Sequence, residues 1–184
     1  MEVILGLGSN AQYKGYLCPE LLALSVFRLS AVLRDIKYSS VYVSKAMYVT
    51  DQDDFYNMVV RGFVDDSVTP RQLLSIINGI EAEFGRDRTK EIRFGPRSLD
   101  IDIEEFENQC VNEADLIIPH PRMKERAFVL IPMLEIFNEV ADEIKRKELS
   151  AFLDNVSLQE VRKSSADIQR LFDQMLEKAR SFLM

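Results

Sequence analysis

The stretch S-L-D-I-D-I-E, residues 98–104, holds three acids at alternate positions. Extended backbone alternates its side chains, so Leu99, Ile101 and Ile103 fall on one face and Asp100, Asp102 and Glu104 on the other. Carboxylates at i and i+2 stand roughly 7 Å apart along a strand, a spacing that lets two of them flank a pair of hard cations bridged by phosphate oxygens. Mg²⁺ is the cation such ligands suit. Without a cation, like charges so close raise one another's pKa, which a purely structural strand has little reason to tolerate. A solvated outer strand face shows the same alternation, and the acids alone do not separate the two readings.

The residues just before this strand sharpen the question. R-D-R-T-K-E-I-R-F-G-P-R, residues 86–97, sets Arg86, Arg88, Lys90, Arg93 and Arg97 against Asp87 and Glu91, a local excess of three positive charges in a chain of net charge -7. Arginine forks beside metal-binding carboxylates suit a polyphosphate: the guanidinium groups hold phosphate oxygens while the cation screens the same anion. Mutual salt bridging across the Gly-Pro turn would satisfy these charges without any ligand, and both readings stand on these residues. Two further features are equally two-sided. Phe55 and Asn57, at i and i+2 of an apolar run, point the same way and can stack on and read the edge of a flat heterocycle, or can be plain core packing. His120, the only histidine, sits in an I-P-H-P turn where a structural role competes with a functional one.

These side chains need a scaffold that brings them together. Residues 2–7 form a short apolar strand leaving through Gly8-Ser9-Asn10. Pro19 opens a helix whose apolar spacing runs from Glu20 to about Ile36 through Leu21, Leu22, Leu24, Phe27 and Ala31. Strands are expected over Tyr38–Val43 and Phe55–Val64, and the polar Ser44–Asp54 segment between them is longer than a tight hairpin needs, as befits a working loop. Thr69 as N-cap, Pro70 at the first helical position and Gly85 as the stop delimit the next helix. Ser98–Phe106 follows as a strand, and Met123–Val140 as a helix that must kink or restart at Pro132. This order predicts an α+β domain with a ferredoxin-like βαββαβ core, its mostly antiparallel sheet covered by helices. Beyond about residue 148 a C-terminal helical extension begins. Its apolar stripe, Ile168, Leu171, Phe172, Met175, Leu176, Ala179 and Phe182, either packs on the domain, leaving a monomer, or makes a partner or dimer contact.

The chain of 184 residues, 47% hydrophobic and 29% charged with no linker-like tract, fits one domain over residues 1–184, with a core of about 1–140 and the extension over 148–184. No basic leader and no apolar run near the roughly 18 residues of a bilayer span appear, so a cytoplasmic protein without a membrane partner is expected. Cys18 and Cys110 read as ordinary thiols. The net charge argues against nucleic acid. No G-x-x-x-x-G-K-S/T or G-x-G-x-x-G is present, and a lone histidine disfavours a two-metal hydrolase.

In order along the chain, GLGSN, SSVYVS, DQDDFYNMVV, IEAEFGRDR, RFGPRSLDIDI and IIPHPRMKERAFVLIPMLEI resemble the 6-hydroxymethyl-7,8-dihydropterin pyrophosphokinase family over about residues 1–140. The resemblance implies an ATP-dependent diphosphotransferase of folate biosynthesis, with ATP and the hydroxymethyldihydropterin as partners. It implies two Mg²⁺ ions on Asp100 and Asp102, and Arg86 and Arg97 serving the transferring phosphates. It places Glu81, Arg88, Arg97, His120 and Arg126 on the ATP side, and Gly8, Ser44, Phe55, Asn57 and Phe128 on the pterin side. Three departures accompany it: the 44–54 loop SKAMYVTDQDD lacks proline and glycine, Glu104 replaces an apolar position, and Asp115 and Ile117 stand where some members carry cationic and hydroxyl groups.

Overall fold

Strand β1, Glu2–Ser9, is the spine of the sheet in the computed structural model, which describes residues 1–47, 51–86, 95–138 and 140–181. It lies antiparallel between β4, Phe55–Phe63, and β5, Asp100–Phe106. Beyond β4 come β2, Arg34–Tyr38, and β3, Tyr42–Ser44, and a C-terminal strand β8, Val161–Lys163, completes the six-stranded order β5-β1-β4-β3-β8, with β2 also paired to β4. A separate hairpin joins β6, Val111–Glu113, to β7, Leu116–Ile118.

The two faces of this sheet are covered by different helices. On one, Val3, Leu5, Leu7, Met58, Val60, Ile101 and Ile103 meet Leu22, Val26 and Leu29 of α1, Cys18–Leu29, and Leu73, Ile77 and Ile80 of α2, Pro70–Glu83. On the other, Ile4 and Val59 meet Val129, Leu130 and Met133 of α3, Ala127–Ile136, which is backed by Leu149 of α4, Glu143–Asp154. Helix α2 has the cap expected for it. Gln72 N–H donates to the Thr69 hydroxyl at 3.3 Å and the Gln72 side chain accepts from Thr69 N–H at 2.9 Å.

Several element boundaries differ from the sequence reading: β1 runs on through Gly8 and Ser9, expected in the turn, because both pair with β4, and β5 begins at Asp100 rather than Ser98. Helix α1 ends at Leu29, where Ala31 and Val32 N–H close short turns on Arg28 and Leu29, and Ile36 lies on β2 instead. Helical spacing of apolar residues continues past the helix only by coincidence, and Phe27, expected on the inner face, is 56% exposed. The strand expected over Tyr38–Val43 is broken. Ser39 donates its N–H to Val59 carbonyl at 2.9 Å and accepts Val59 N–H on its hydroxyl at 3.0 Å, so a side chain replaces a carbonyl in the ladder there. Helix α3 starts at Ala127 after a 3₁₀ turn over Met123–Glu125, includes Pro132, and ends at Ile136 rather than Val140. The short strands β6, β7 and β8 and helix α4 lacked a clear periodic signal.

The C-terminal stripe packs inward at its start. Ile168 of α5, Ile168–Ser181, is buried, Leu171 and Phe172 lie against the first core, and Phe172 meets Tyr38 edge-on at 6.2 Å. Met175, Leu176, Ala179 and Phe182 lie outside the described side chains. No helix among the described residues is long and apolar enough to cross a membrane.

Gly85 turns the chain from α2 into the arginine-bearing segment with φ +87, and a Cβ there would collide with the Tyr13 ring. Gly85→Ala is expected to destabilise the fold by about 1–2 kcal/mol. Thermal melts should register this as a fall of several degrees, and an unchanged melting temperature would contradict it.

Candidate active site

The register of β1 assembles the site. Gly8 pairs with Asn57 on β4 and with Asp100 on β5, while Gly6 pairs with Val59 and Asp102. Both glycines face away from the first core, on the side where α3 begins. A Cβ on Gly8 would stand 3.5 Å from Asn57 Oδ1 and 3.9 Å from the Phe55 ring, so glycine leaves open floor between an amide and a carboxylate. Over that floor lies a cavity of about 250 Å³. Gly8, Ser44, Phe55, Asn57, Arg86, Arg97, Asp100, Asp102, His120, Arg126 and Phe128 all line it, so most of the residues expected from the sequence converge.

One end of the cavity is aromatic and neutral. The Asn57 amide nitrogen donates to the Ser44 hydroxyl at 3.0 Å and to Phe55 carbonyl at 3.2 Å, which fixes the amide's orientation in a buried position. The Phe55 and Phe128 rings line the same space, and the Arg126 guanidinium stands 5.5 Å from the Phe128 centroid. A flat polar heterocycle can stack here while the amide reads its edge.

The other end is ionic. Asp100 accepts from Arg86 on one oxygen and from Arg97 Nη1 at 2.8 Å on the other. Arg86 also donates to Glu81, whose carboxylate accepts Ile101 N–H at 2.8 Å. Glu81 is therefore buried beneath the site, outside the cavity wall, and reaches it through Arg86. Arg97 is held by its backbone: its N–H donates to Asn10 Oδ1 at 2.8 Å, and its carbonyl accepts Asn10 N–H at 3.0 Å. The Asn10 amide donates in turn to Gln52 at 3.0 Å, tying the 44–54 loop to the arginine segment. Lys45 and Asp54 fasten that loop's two ends at 2.9 Å. Arg88, with the rest of 87–94, lies outside the described residues.

Asp102, Glu104 and His120 form the third part. Arg126 Nη1 donates to Asp102 at 3.3 Å. Loss of surrounding water, and next the charge of Asp100, push the Asp102 carboxyl up to about 6 against the pull of Arg126. Because 36% of its side-chain surface still opens to the cavity, water there screens part of this effect. Glu104 is raised well above its usual value, chiefly by burial and then by Asp102. Among the described residues its Oε2 and the buried Nε of Arg126 have no hydrogen-bond partner. Burial, then the charges of Arg126 and Arg122, lower His120 to about 4, so it is neutral at pH 7. Its Nδ1 accepts Arg122 N–H at 3.3 Å, which leaves the proton on Nε2, 3.9 Å from Asp102.

The carboxylates fit Mg²⁺ in a particular way. Among the described residues no three histidine, cysteine or acidic side chains converge as a complete cage. Mg²⁺ ordinarily takes one or two protein carboxylates and completes its shell with water and substrate phosphates, which matches a pair on one strand face. Salt bridging, the ligand-free alternative, is also present, but it rings an open cavity rather than filling it. Lys45, Gln52 and Arg122 line that cavity too and went unnoticed in the sequence. Arg122 was visible beside His120, whereas Lys45 and Gln52 carried no signal apart from the length of their loop.

Comparison with known proteins adds an independent line. The family model for 7,8-dihydro-6-hydroxymethylpterin-pyrophosphokinase (HPPK) matches residues 4–138. The 2-amino-4-hydroxy-6-hydroxymethyldihydropteridine pyrophosphokinase of Bacillus subtilis is 39% identical over 126 residues, 68% of this chain and 73% of that protein. Its namesake from Methylorubrum extorquens is 41% identical over 134 residues, 72% and 80% of the two chains. The folic acid synthesis protein fol1 of Pneumocystis carinii is 39% identical over 124 residues, 67% of this chain, which spans only 16% of that larger protein. A solved HPPK-DHPS in complex with substrates superposes with a TM-score of 0.56 at 15% identity, covering 83% of this chain and 44% of the other.

Glu104 yields a prediction of opposite sign to most core substitutions. Glu104→Met removes a buried carboxyl with an unpartnered oxygen and should stabilise the fold by about 1–3 kcal/mol. Its raised pKa means that, above the ordinary value of 4.5, the unfolded chain has released a proton that the folded chain still holds. Stability contributed by Glu104 therefore falls as pH rises from 4.5 toward the higher folded value. The melting temperature of Glu104→Gln should exceed that of wild type by a margin that widens between pH 4.5 and 7. A margin that narrows over that range would refute it.

Proposed function

The chain belongs to the 7,8-dihydro-6-hydroxymethylpterin-pyrophosphokinase family, and from that premise we propose that it transfers diphosphate from ATP to 6-hydroxymethyl-7,8-dihydropterin, giving AMP and the pterin diphosphate. The observation that carries the reading is the position of Gly8, which pairs with Asn57 on β4 and with Asp100 on β5 and so sets an amide and a carboxylate on either side of open floor. A heterocycle bound at Asn57 then places its hydroxymethyl group toward Asp100.

The pterin ring stacks between Phe55 and Phe128, with Asn57 and Ser44 at its polar edge. The hydroxymethyl oxygen forms a bond to the β-phosphorus of ATP and gives up its proton to solvent water at the cavity mouth. The bond from that phosphorus to the oxygen bridging to the α-phosphate breaks, and AMP leaves with the bridging oxygen. Arg86 and Arg97 exchange their contacts with Asp100 for phosphate oxygens, and Arg126 does the same from Asp102. Neutral His120 donates from Nε2 to a phosphate oxygen. Asp100 and Asp102 would hold two Mg²⁺ ions, which when bound neutralise the charge of the triphosphate and orient it. Arg88 joins from the neighbouring segment, and Glu81 keeps Arg86 in place beneath. Charge stabilisation and positioning supply the catalysis.

The same reading takes residues 1–184 as one domain, a ferredoxin-like βαββαβ core of about 1–140 with an extension over 148–184. Strand order β5-β1-β4-β3 supports it. The inward packing of Ile168, Leu171 and Phe172 supports a monomer, expected at 21.2 kDa in light scattering. A dimer mass would sink that assignment.

With ATP and Mg²⁺, AMP should accumulate only when the pterin is added. Asp100→Ala and Asp102→Ala should each lower that rate by more than about 100-fold with the melting temperature preserved. Formation of ADP in place of AMP would reject diphosphate transfer, and pterin binding without turnover would leave a binding module.

A further inference from the structure

Between α4 and α5 the chain forms a strap over residues 155–163 that touches both walls of the cavity. On one side β8 pairs with β3, Val161 opposite Ser44, and Ser164 N–H donates to Val41 carbonyl at 2.8 Å. On the other side the Gln159 amide reaches the start of α3. Its Oε1 accepts Ala127 N–H at 2.9 Å, and its Nε2 donates to Glu125 carbonyl at 2.8 Å. The helix has no cap of its own here, because Arg126, at the N-cap, makes no side-chain capping bond. One of the N–H groups left open at every helix start is thus satisfied by a residue 32 positions away. Lys163 adds a second tie from the strap to α3, donating to Glu135 at 3.0 Å.

We propose that Gln159 is a positioning residue for the heterocycle end of the site: its planar amide fixes residues 125–127 against the strap, and so sets the gap between the Phe128 ring and the Ser44–Asn57 edge. The inference rests on the pterin reading above. Arg126 and Phe128 flank Ala127 directly, so two bonds from one rigid group fix both the place and the direction of the backbone that carries them. The other end of the strap holds the strand of Ser44, whose hydroxyl accepts from Asn57. The two walls against which a flat ring would stack and be read are therefore joined through residues 159–161. Among the described residues the strap makes no hydrogen bond to Asp100, Asp102 or Arg97, and Arg126 is the ionic group whose backbone Gln159 holds.

Gln159→Leu keeps the side chain's bulk and removes both bonds. In the AMP-release assay its KM for 6-hydroxymethyl-7,8-dihydropterin should rise roughly tenfold, KM for ATP should rise by a smaller factor through Arg126, and kcat should stay within about twofold of wild type. Gln159→Glu, which retains an acceptor for Ala127 and loses the donor, should be intermediate. A helix cap with no positioning role would lower the melting temperature and leave KM for the pterin within about twofold, and that result would overturn the proposal. Should the leucine variant fail to fold, the glutamate variant decides on the same criterion. A wild-type chain without pterin-dependent AMP would overturn the pyrophosphokinase reading and this inference together, whereas an active wild type with an unshifted variant sinks the inference alone.

Discussion

The antiparallel register of β1 against both neighbours is the constraint on which everything at the site depends. Because side chains alternate, pairing Gly8 with Asn57 and Asp100 puts an amide and a carboxylate on the same face of three adjacent strands. A slip of one residue would turn Asn57 or Asp100 into the first core and bring Met58 or Ile101 to the cavity. The core forbids it. Leu5, Leu7, Met58, Val60, Ile101 and Ile103 are all nearly inaccessible on the opposite face, and exposing each such side chain costs about 1.5–3 kcal/mol. Hydrophobic burial on one side of the sheet thus sets the geometry of polar chemistry on the other.

The polar side is organised by charge balance. Asp100 is held by two arginines and Asp102 by a third, so each carboxylate has a cationic partner before any ligand arrives. Such a ring is preorganised for a polyanion accompanied by a cation, since each partner in a salt bridge can be exchanged for a group of the same sign. In the diphosphate transfer proposed above, arginines would pass to phosphate oxygens and aspartates to the metal, with little reorganisation of the backbone. Asn10, bonded to the Arg97 backbone and to Gln52, makes the loops on either side of the cavity parts of one network. That connection positions Arg97 and Gln52 together through one side chain.

Much of this was legible in the residues, for reasons that differ from element to element. Strand β5 announced itself by strict alternation, and helix α2 by Thr69, Pro70 and Gly85 at its ends. The convergence of Phe55, Asn57 and Phe128 with Asp100 was not readable from spacing at all, because it depends on which strands pair, and it came from resemblance over the whole motif series. Helix α1 was extended too far since apolar periodicity continues across a turn that short-range N–H bonds enforce. Strand β8 was missed because three residues, Val161–Lys163, are too few to carry a periodic signal and are ordered by pairing with β3. Glu104 was recognised as out of place, but its consequence depends on a neighbour 98 positions away that no pattern within the strand reveals.

That neighbour is Gly6. A Cβ at Gly6 would come within 2.6 Å of Glu104 Oε1, so the two residues occupy one allotment of space between β1 and β5. Glycine weakens a strand interior, and a buried carboxyl with an unpartnered oxygen weakens the fold again. Both costs fall on the site face, alongside buried Asn57 and the raised carboxyl of Asp102. The sheet face beneath α1 and α2 is apolar, although the helices covering it bury Ser25 and Glu81. Most of the packing and most of the polar chemistry therefore lie on opposite faces of a single sheet, with Glu81 of α2 reaching across to Arg86. The continuous apolar core under α1 and α2 supplies the surplus that lets the other face hold close-set acids, bare glycines and an open cavity without losing its register.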